Sequence, residues 1–369
     1  MQTIQYSAIL YDIKTITRQA VVPFTSLDYG AKLGDYGEMS GELLVNPTTA
    51  LNGKLWSDVL EVGKTTIYVL RNNKVVWGGV LYEYTINQPS RKLSVTGRSF
   101  EWVFTKFFQG ITNSWNADQL HIARDIFAPG SPYYNITVNT RNSGKVRNIN
   151  TYKYDFKTMY DRVDELSNMI GGFEWGVVLT QNSSGTISRN IEFWYPHRGK
   201  TKANTTLSFD YPNSSIKSYK YTSTLAGAAT RVWTLGAGEG DEMITAHADK
   251  SDMSGYPLLE ENFSYKSVTD KTTLQQHANS EIKRVQTPIE ILDVTIRAND
   301  FNAPTIGDFE VGDWAKFTFA DWFFQPSYSQ FMRIVEYNVS VDNQGLEEID
   351  FTLNTERDET YDDETGDNG

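Results

Sequence analysis

The stretch that most limits what this chain can fold into is Val75–Phe108, VVWGGVLYEYTINQPSRKLSVTGRSFEWVFTKFF. Val75, Trp77, Gly79 and Leu81 alternate with Val76, Gly78, Val80 and Tyr82, so both faces of an extended segment here are apolar. A strand of that kind is covered on both sides. Gly78-Gly79 beside Trp77 marks a sharp bend or a close approach of backbone, as at a barrel corner. The pattern predicts a small closed β-domain.

The flanking segments agree. Thr3–Ile13 reads as a strand. Gly30, Gly34, Gly37 and Gly41 read as loop punctuation before extended structure at Glu42–Val45. Lys64–Arg71 is β-branched and aromatic, and Asn72-Asn73 then supplies a hairpin turn. Gln88-Pro89-Ser90 turns the chain into Leu93–Gly97. Two helices are expected next. The first is Ala117–Phe127, stopped by Pro129-Gly130. The second is Asp155–Ile170, with Phe156, Met159, Val163, Leu166 and Ile170 on one face, Asp155 as N-cap and Gly171-Gly172 beyond. Ser131–Asn150 reads as a loop with at most one strand. Phe173–Thr180 and Asn190–Tyr195 read as a hairpin, and Pro196–Thr206 as a boundary. Ser218–Leu235 returns to β, Gly236–Pro257 is a polar connection, and Thr269–Val285 is a third helix. Glu290–Ala298, Trp314–Phe319, Phe331–Val341 and Glu347–Asn354 read as strands.

The fold class expected is therefore mainly β with α+β insertions: two small β-barrel domains plus α+β accessory parts. The first barrel spans 1–110, with strands within 207–235 available to complete it. An α+β insertion spans 111–206. The second barrel spans 207–355 and carries the helix at 269–285. Residues 356–369 form an acidic, aliphatic-poor tail expected to be disordered.

Chemistry is sparse. There is no cysteine, so disulfides, thiolate catalysis and cysteine-ligated zinc are excluded. His121, His197, His247 and His277 are the four histidines, and none is spaced as a helical metal pair. Gly97-Arg98-Ser99 does not continue into a nucleophile elbow. Gly236-Ala237-Gly238-Glu239-Gly240 follows a strand, but its acidic residues and the absence of an apolar helix argue against a phosphate loop. No catalytic residue, metal site or cofactor is expected. The start of the chain shows no signal-peptide pattern, and no run is long and apolar enough to span a membrane. With a net charge of −12, non-specific nucleic-acid binding is disfavoured. The aromatic share of 13% is generous enough to supply protein interfaces. Trp322, Phe323, Phe324 and Tyr328 read as a loop tip, a candidate contact for protein or saccharide.

Several segments, taken in order, resemble the tail hub or baseplate hub proteins of tailed bacteriophages, the minor tail protein family of siphophages. They are Trp77-Gly78-Gly79-Val80 with Leu93–Gly97 and Glu101-Trp102; Leu166–Trp175; Ala229–Gly236; Ala278–Val285 with Pro288 and Glu290–Ile296; and Val311-Gly312-Asp313-Trp314 with Phe331–Val335 and Ile349–Leu353. Trp77, Gly78, Gly79, Gly97, Trp102, Gly312 and Asp313 are the residues expected to form the barrel motif. The resemblance implies two tail-tube-type barrels per chain and a homotrimeric ring that joins a sixfold tail tube to a threefold tip. It implies a distal tail ring, a tape-measure protein and a tip or receptor-binding protein as partners. DNA would be met only in transit through an acidic lumen, in a virion whose tail is assembled in the host cytoplasm. Larger relatives continue into peptidase, lysozyme or receptor-binding modules. Here the resemblance ends near Asn354, so no enzymatic activity is expected. The alternatives are a carbohydrate-binding receptor protein that uses Trp322–Tyr328 as a stacking platform, and a wall-degrading hydrolase.

Overall fold

The computed structural model describes residues 4–45, 53–88, 92–169, 171–212, 216–266, 268–286, 288–298 and 304–354. The expected acidic tail and Pro89-Ser90 lie outside them. The chain is mainly β and forms two compact units, one of residues 1–218 with 294–352 and one centred on 219–293.

The first unit begins with six strands: β1 (Tyr6–Asp12), β2 (Arg18–Lys32), β3 (Glu38–Leu43), β4 (Thr65–Arg71), β5 (Lys74–Asn87) and β6 (Lys92–Ser99). A single turn of helix, α1 (Trp56–Val59), precedes β4. The strands pair in the order β1-β4-β5-β6-β3-β2, and β2 returns to β1, which closes a barrel. Closure removes the free edges that an open sheet would expose. The β4–β5 hairpin turns at Asn72 and Asn73, both with positive φ (48° and 65°), as a two-residue turn of this hand requires.

One expectation is corrected here. Gly30 and Gly41 do not lie in a loop; they lie inside β2 and β3. A Cβ at Gly37 would come 2.1 Å from the Gly30 carbonyl oxygen, and one at Gly41 would strike the Phe24 ring. These glycines let strands approach, so the periodicity of a 15-residue strand is hidden behind residues that read as breakers.

An α+β insertion follows. It contains β7 (Asn113–Asp118) paired with β9 (Val146–Thr151), α2 (Gln119–Phe127), β8 (Thr137–Val138), α3 (Met159–Ser167), and the antiparallel pair β10 (Glu174–Gln181) and β11 (Ile187–Trp194). The second insertion helix is shorter than expected. It starts after Thr158, whose hydroxyl accepts from Asp161 N while Asp161 caps the Thr158 N–H. That capping box fixes the start, so Asp155 is not the N-cap. Phe156 sits outside the helix at φ 49° and is largely exposed rather than part of the apolar face. The first helix also starts later than Ala117, because Asp118 caps it from the end of β7. Ser131–Asn150 holds β8 and most of β9, two strands where at most one was expected.

A second six-strand row runs in the order β12 (Ser208–Tyr211), β18 (Trp314–Phe319), β19 (Tyr328–Val341), β20 (Glu347–Asn354), β17 (Ile289–Arg297) and β13 (Ile216–Thr224); the first four belong essentially to the first unit, while β17 and β13 run across the unit boundaries in the sequence. β19 pairs with β18 through Tyr328–Arg333 and with β2 of the barrel through Glu336–Val341. Its core stacks phenylalanines: Phe209 lies parallel to Phe317 at 4.8 Å, and Phe351 meets Phe209 and Phe309 edge-on. Two barrels were expected; among the described residues only the first closes, and the second row is open between β12 and β13.

The second unit holds β14 (Arg231–Leu235), β15 (Thr245–Asp249), β16 (Glu260–Ser264) and α4 (Lys271–Val285). β15 falls inside the stretch that reads as polar connection. Val232, Ala246, Leu274, Ala278, Ile282 and Val285 form its core.

Candidate interaction surfaces

The residues singled out in the sequence fall into three places in the first unit. The first is the barrel wall. Trp77 is buried and donates from Nε1 to the Gly30 carbonyl oxygen at 3.1 Å. A Cβ at Gly97 would lie 3.0 Å from the Trp77 ring, 3.2 Å from Ile67 and 3.3 Å from Met39, so Gly97 makes room for the indole. A Cβ at Gly79 would meet the Arg98 carbonyl oxygen at 2.0 Å. Gly78 opens on the other side, where a Cβ would strike Tyr68 and Leu179 of β10. Both apolar faces of β5 are thus used: one for the barrel, one for docking the insertion. Trp102 lies on the outer face. Tyr82 meets it edge-on at 5.5 Å, and the Arg98 guanidinium stacks 3.9 Å over the Tyr82 ring.

The second place is the corner at Gly312-Asp313. Gly312 has φ 93°, and a Cβ there would come 2.7 Å from the Arg198 carbonyl oxygen. Only glycine takes that conformation without strain. Asp313 is buried and accepts from Lys200 N (2.6 Å) and Glu310 N (3.0 Å). It locks the 198–200 segment to the start of β18.

The third place is the β18–β19 loop. Asp321 Oδ1 accepts from Phe323 N (2.9 Å) and Phe324 N (3.0 Å), which fixes the turn. Phe324 stacks on Tyr328 at 4.8 Å and lies 5.8 Å from Phe319, forming a pedestal. Above it Trp322 is 84% exposed and Phe323 61%. The aromatic run therefore divides: Phe324 and Tyr328 are structural, while Trp322 and Phe323 are presented to solvent.

Two buried ion pairs escape sequence reading. Arg333 grips Glu174 with two hydrogen bonds of 2.7 Å each, and also donates to the Gly312 and Arg198 carbonyl oxygens. Burial works to raise the Glu174 pKa. Hydrogen bonds from His197, Arg333 and the Arg198 N–H, with the Arg333 charge, outweigh it and bring the pKa down to about 2. Arg71 makes the same fork to Glu347 (2.6 and 2.9 Å), and Tyr6 donates to the same carboxylate. Burial and the adjacent Glu347 push the Tyr6 hydroxyl well above its ordinary range. The partners are 159 and 276 positions apart. No local signal connects them.

Among the described residues, no group of three or more His, Asp or Glu gathers as a metal site, and no helix is long and apolar enough to cross a membrane. Of the four histidines, His247 lies against Trp233, and His277 stacks on Tyr265.

No protein-family profile matches the chain. No curated protein matches it either. Solved structures do. The 43 kDa tail protein of prophage MuSo2 from Shewanella oneidensis superposes with a TM-score of 0.63 over 96% of this chain and 99% of its own, at 13% identity. A tail protein from Neisseria meningitidis MC58 gives 0.62 over 95% and 96%, at 11% identity. The chain has the fold of phage tail proteins. A chain of the Francisella PdpA–VgrG complex shares it too, with a TM-score of 0.60 over 96% of this chain and 58% of that one, at 10% identity. At such identities the likeness is one of fold.

Proposed function

We propose that the chain is a non-enzymatic structural component of a bacteriophage tail, the hub ring at the distal tip of the virion. The observation that carries this reading is the end-to-end match in fold to two phage tail proteins, which leaves almost none of either chain unaccounted for. Three copies would form the ring. Each contributes a closed barrel and a second six-strand row, so six similar units surround one axis and join a sixfold tube to a threefold tip. Ring closure requires heterologous contacts. An acidic surface suits a channel through which DNA slides without sticking. Three chains carry three times −12 formal charges.

The partners proposed are a distal tail ring, a tape-measure protein and a tip or receptor-binding protein, met during assembly in the host cytoplasm. The barrel motif of Trp77, Gly78, Gly79, Gly97, Trp102, Gly312 and Asp313 has a structural role in this reading. The test is electron microscopy of the purified chain. Top views with threefold symmetry and an open centre support the ring; solitary particles at every concentration count against it.

A second reading rests on Trp322 and Phe323, since exposed aromatic rings also stack on sugars. Binding on a glycan array that disappears in Trp322→Ala favours a receptor-recognition role.

A further inference from the structure

We propose that a groove on the outer wall of the barrel, between the β4–β5 and β19–β20 turns, binds a neutral saccharide, a role that goes beyond the ring reading and does not depend on it.

The groove has a volume of about 430 Å³. Clefts that take small ligands run from roughly 300 to 1,000 Å³. Its floor is the outer face of β1 and β2. Ser7 stands opposite Pro23 there, and Val21 lies two residues along on the same face. β1 is paired on both sides, to β2 and β4, and so is β2, to β1 and β3. The floor therefore offers no unpaired strand edge to which an extended peptide could add. Recognition falls to side chains.

Two turns wall the groove, and hydrogen bonds fix both. In the β4–β5 turn, Asn72 Oδ1 accepts from Gln5 N (3.0 Å). In the β19–β20 turn, Asp342 Oδ1 accepts from Gln344 N (2.8 Å) and Leu346 N (2.9 Å). The Arg71–Glu347 fork ties the walls together, since Arg71 adjoins Asn72 and Glu347 follows Gly345 by two residues. Walls held in place before binding reduce the ordering that a ligand must impose.

Charge selects the class of ligand. Charged residues make up 22% of the chain. Of the 17 residues that line the groove, only Asp342 carries a formal charge, and its carboxylate is engaged in the turn. No lysine, arginine or histidine is present among them to hold a phosphate or a carboxylate. Gln5, Ser7, Ser26, Asn343 and Gln344 line it instead, and no side-chain hydrogen bond engages them among the described residues. Amides both donate and accept, as hydroxyls do. Val21, Pro23 and Phe24 supply an apolar strip beside them. That combination matches a sugar ring, which presents hydroxyls at its rim and C–H groups on its faces.

The test is binding of the full chain to an array of neutral and anionic oligosaccharides, followed by saturation-transfer NMR with the neutral ones in solution. Neutral glycans are expected to bind. Asn343 and Gln344 are both exposed, so the double variant Asn343→Ala with Gln344→Ala is expected to keep its melting temperature. It should bind about tenfold more weakly, the effect of losing two hydrogen bonds. Trp322→Ala should leave the affinity unchanged, which separates this groove from the aromatic tip. Loss of binding in Trp322→Ala but not in the double variant overturns the proposal, as does binding confined to anionic glycans. Absence of binding by every neutral glycan in both formats overturns it as well. None of these outcomes bears on the ring, whose own test is the oligomeric state.

Discussion

The barrel and the second six-strand row have the same number of strands and reach stability in different ways. The barrel closes on itself. Its strands satisfy one another, and glycine at 97 lets the Trp77 indole fill the interior. The row does not close among the described residues. It is filled by stacked phenylalanines and tied to its surroundings by Arg71–Glu347 and Arg333–Glu174. It also presents the exposed aromatic tip. The lesson is a division of labour: the closed element is self-sufficient, and the element that depends on its neighbours carries the exposed aromatic tip.

The comparison can be broken most forcefully at the aromatic core. Phe351→Ala should cost about 4 kcal/mol, because a phenyl ring packed against Phe209 and Phe309 is lost. Because the Arg71–Glu347 pair and the β19–β2 ladder couple row and barrel, urea unfolding of this variant should still follow one transition by circular dichroism and by tryptophan fluorescence. Separate transitions for the two probes would show that the elements are independent.

Gly97→Val places two methyl groups where Trp77, Ile67 and Met39 already touch. A loss of about 3 kcal/mol is expected. A neutral outcome in chemical denaturation would mean the barrel interior has slack, contrary to the contrast drawn here.

The Glu174 pair offers a pH readout. Its pKa is about 2 in the folded chain against an ordinary 4.5. A depressed carboxylate stabilises the fold above pH 4.5, and that contribution is lost as pH falls from 4.5 to about 2. The shift corresponds to about 3 kcal/mol. Stability measured across this window should fall by that amount in the wild type, while Glu174→Gln should lack the step. At neutral pH the variant should be destabilised by about 3 kcal/mol, since it leaves the Arg333 charge buried without its partner. Identical acid profiles for both proteins would show the pair to be energetically idle.

The smallest stability effect belongs to the tip. Trp322→Ala should change folding free energy by less than about 0.5 kcal/mol, because an 84% exposed ring contributes little to the core. A clear drop in the melting temperature of the unassociated chain would assign the loop to folding rather than contact.

Much of the fold was legible because local rules decided it. Trp314–Phe319 and Glu347–Asn354 coincide with β18 and β20, since alternation and turn residues bound them on both sides. Lys64–Arg71 with Asn72-Asn73 gives the β4–β5 hairpin, where only residues tolerant of positive φ fit. The last helix begins within two residues of its expected start, capped by Asp270. The long β2 was hidden because Gly30 reads as loop punctuation, yet it lies inside the strand, where a Cβ would come 2.5 Å from the Tyr337 carbonyl oxygen. The start of α3 was misplaced because Asp155 and Thr158 both have capping chemistry, and only Thr158 has Asp161 three residues on. Of the candidate contact residues, the aromatic composition of 322–328 was visible, but which rings face solvent depends on the Asp321 turn and the Phe324–Tyr328 stack. The ion pairs and the closure of the barrel are long-range facts with no local trace.

The central claim is that copies of this chain close into a ring. Light scattering on a sizing column gives the molar mass directly. A value near three times 41.9 kDa, unchanged on dilution, is the expected result. A mass of 41.9 kDa throughout the accessible concentration range would contradict it.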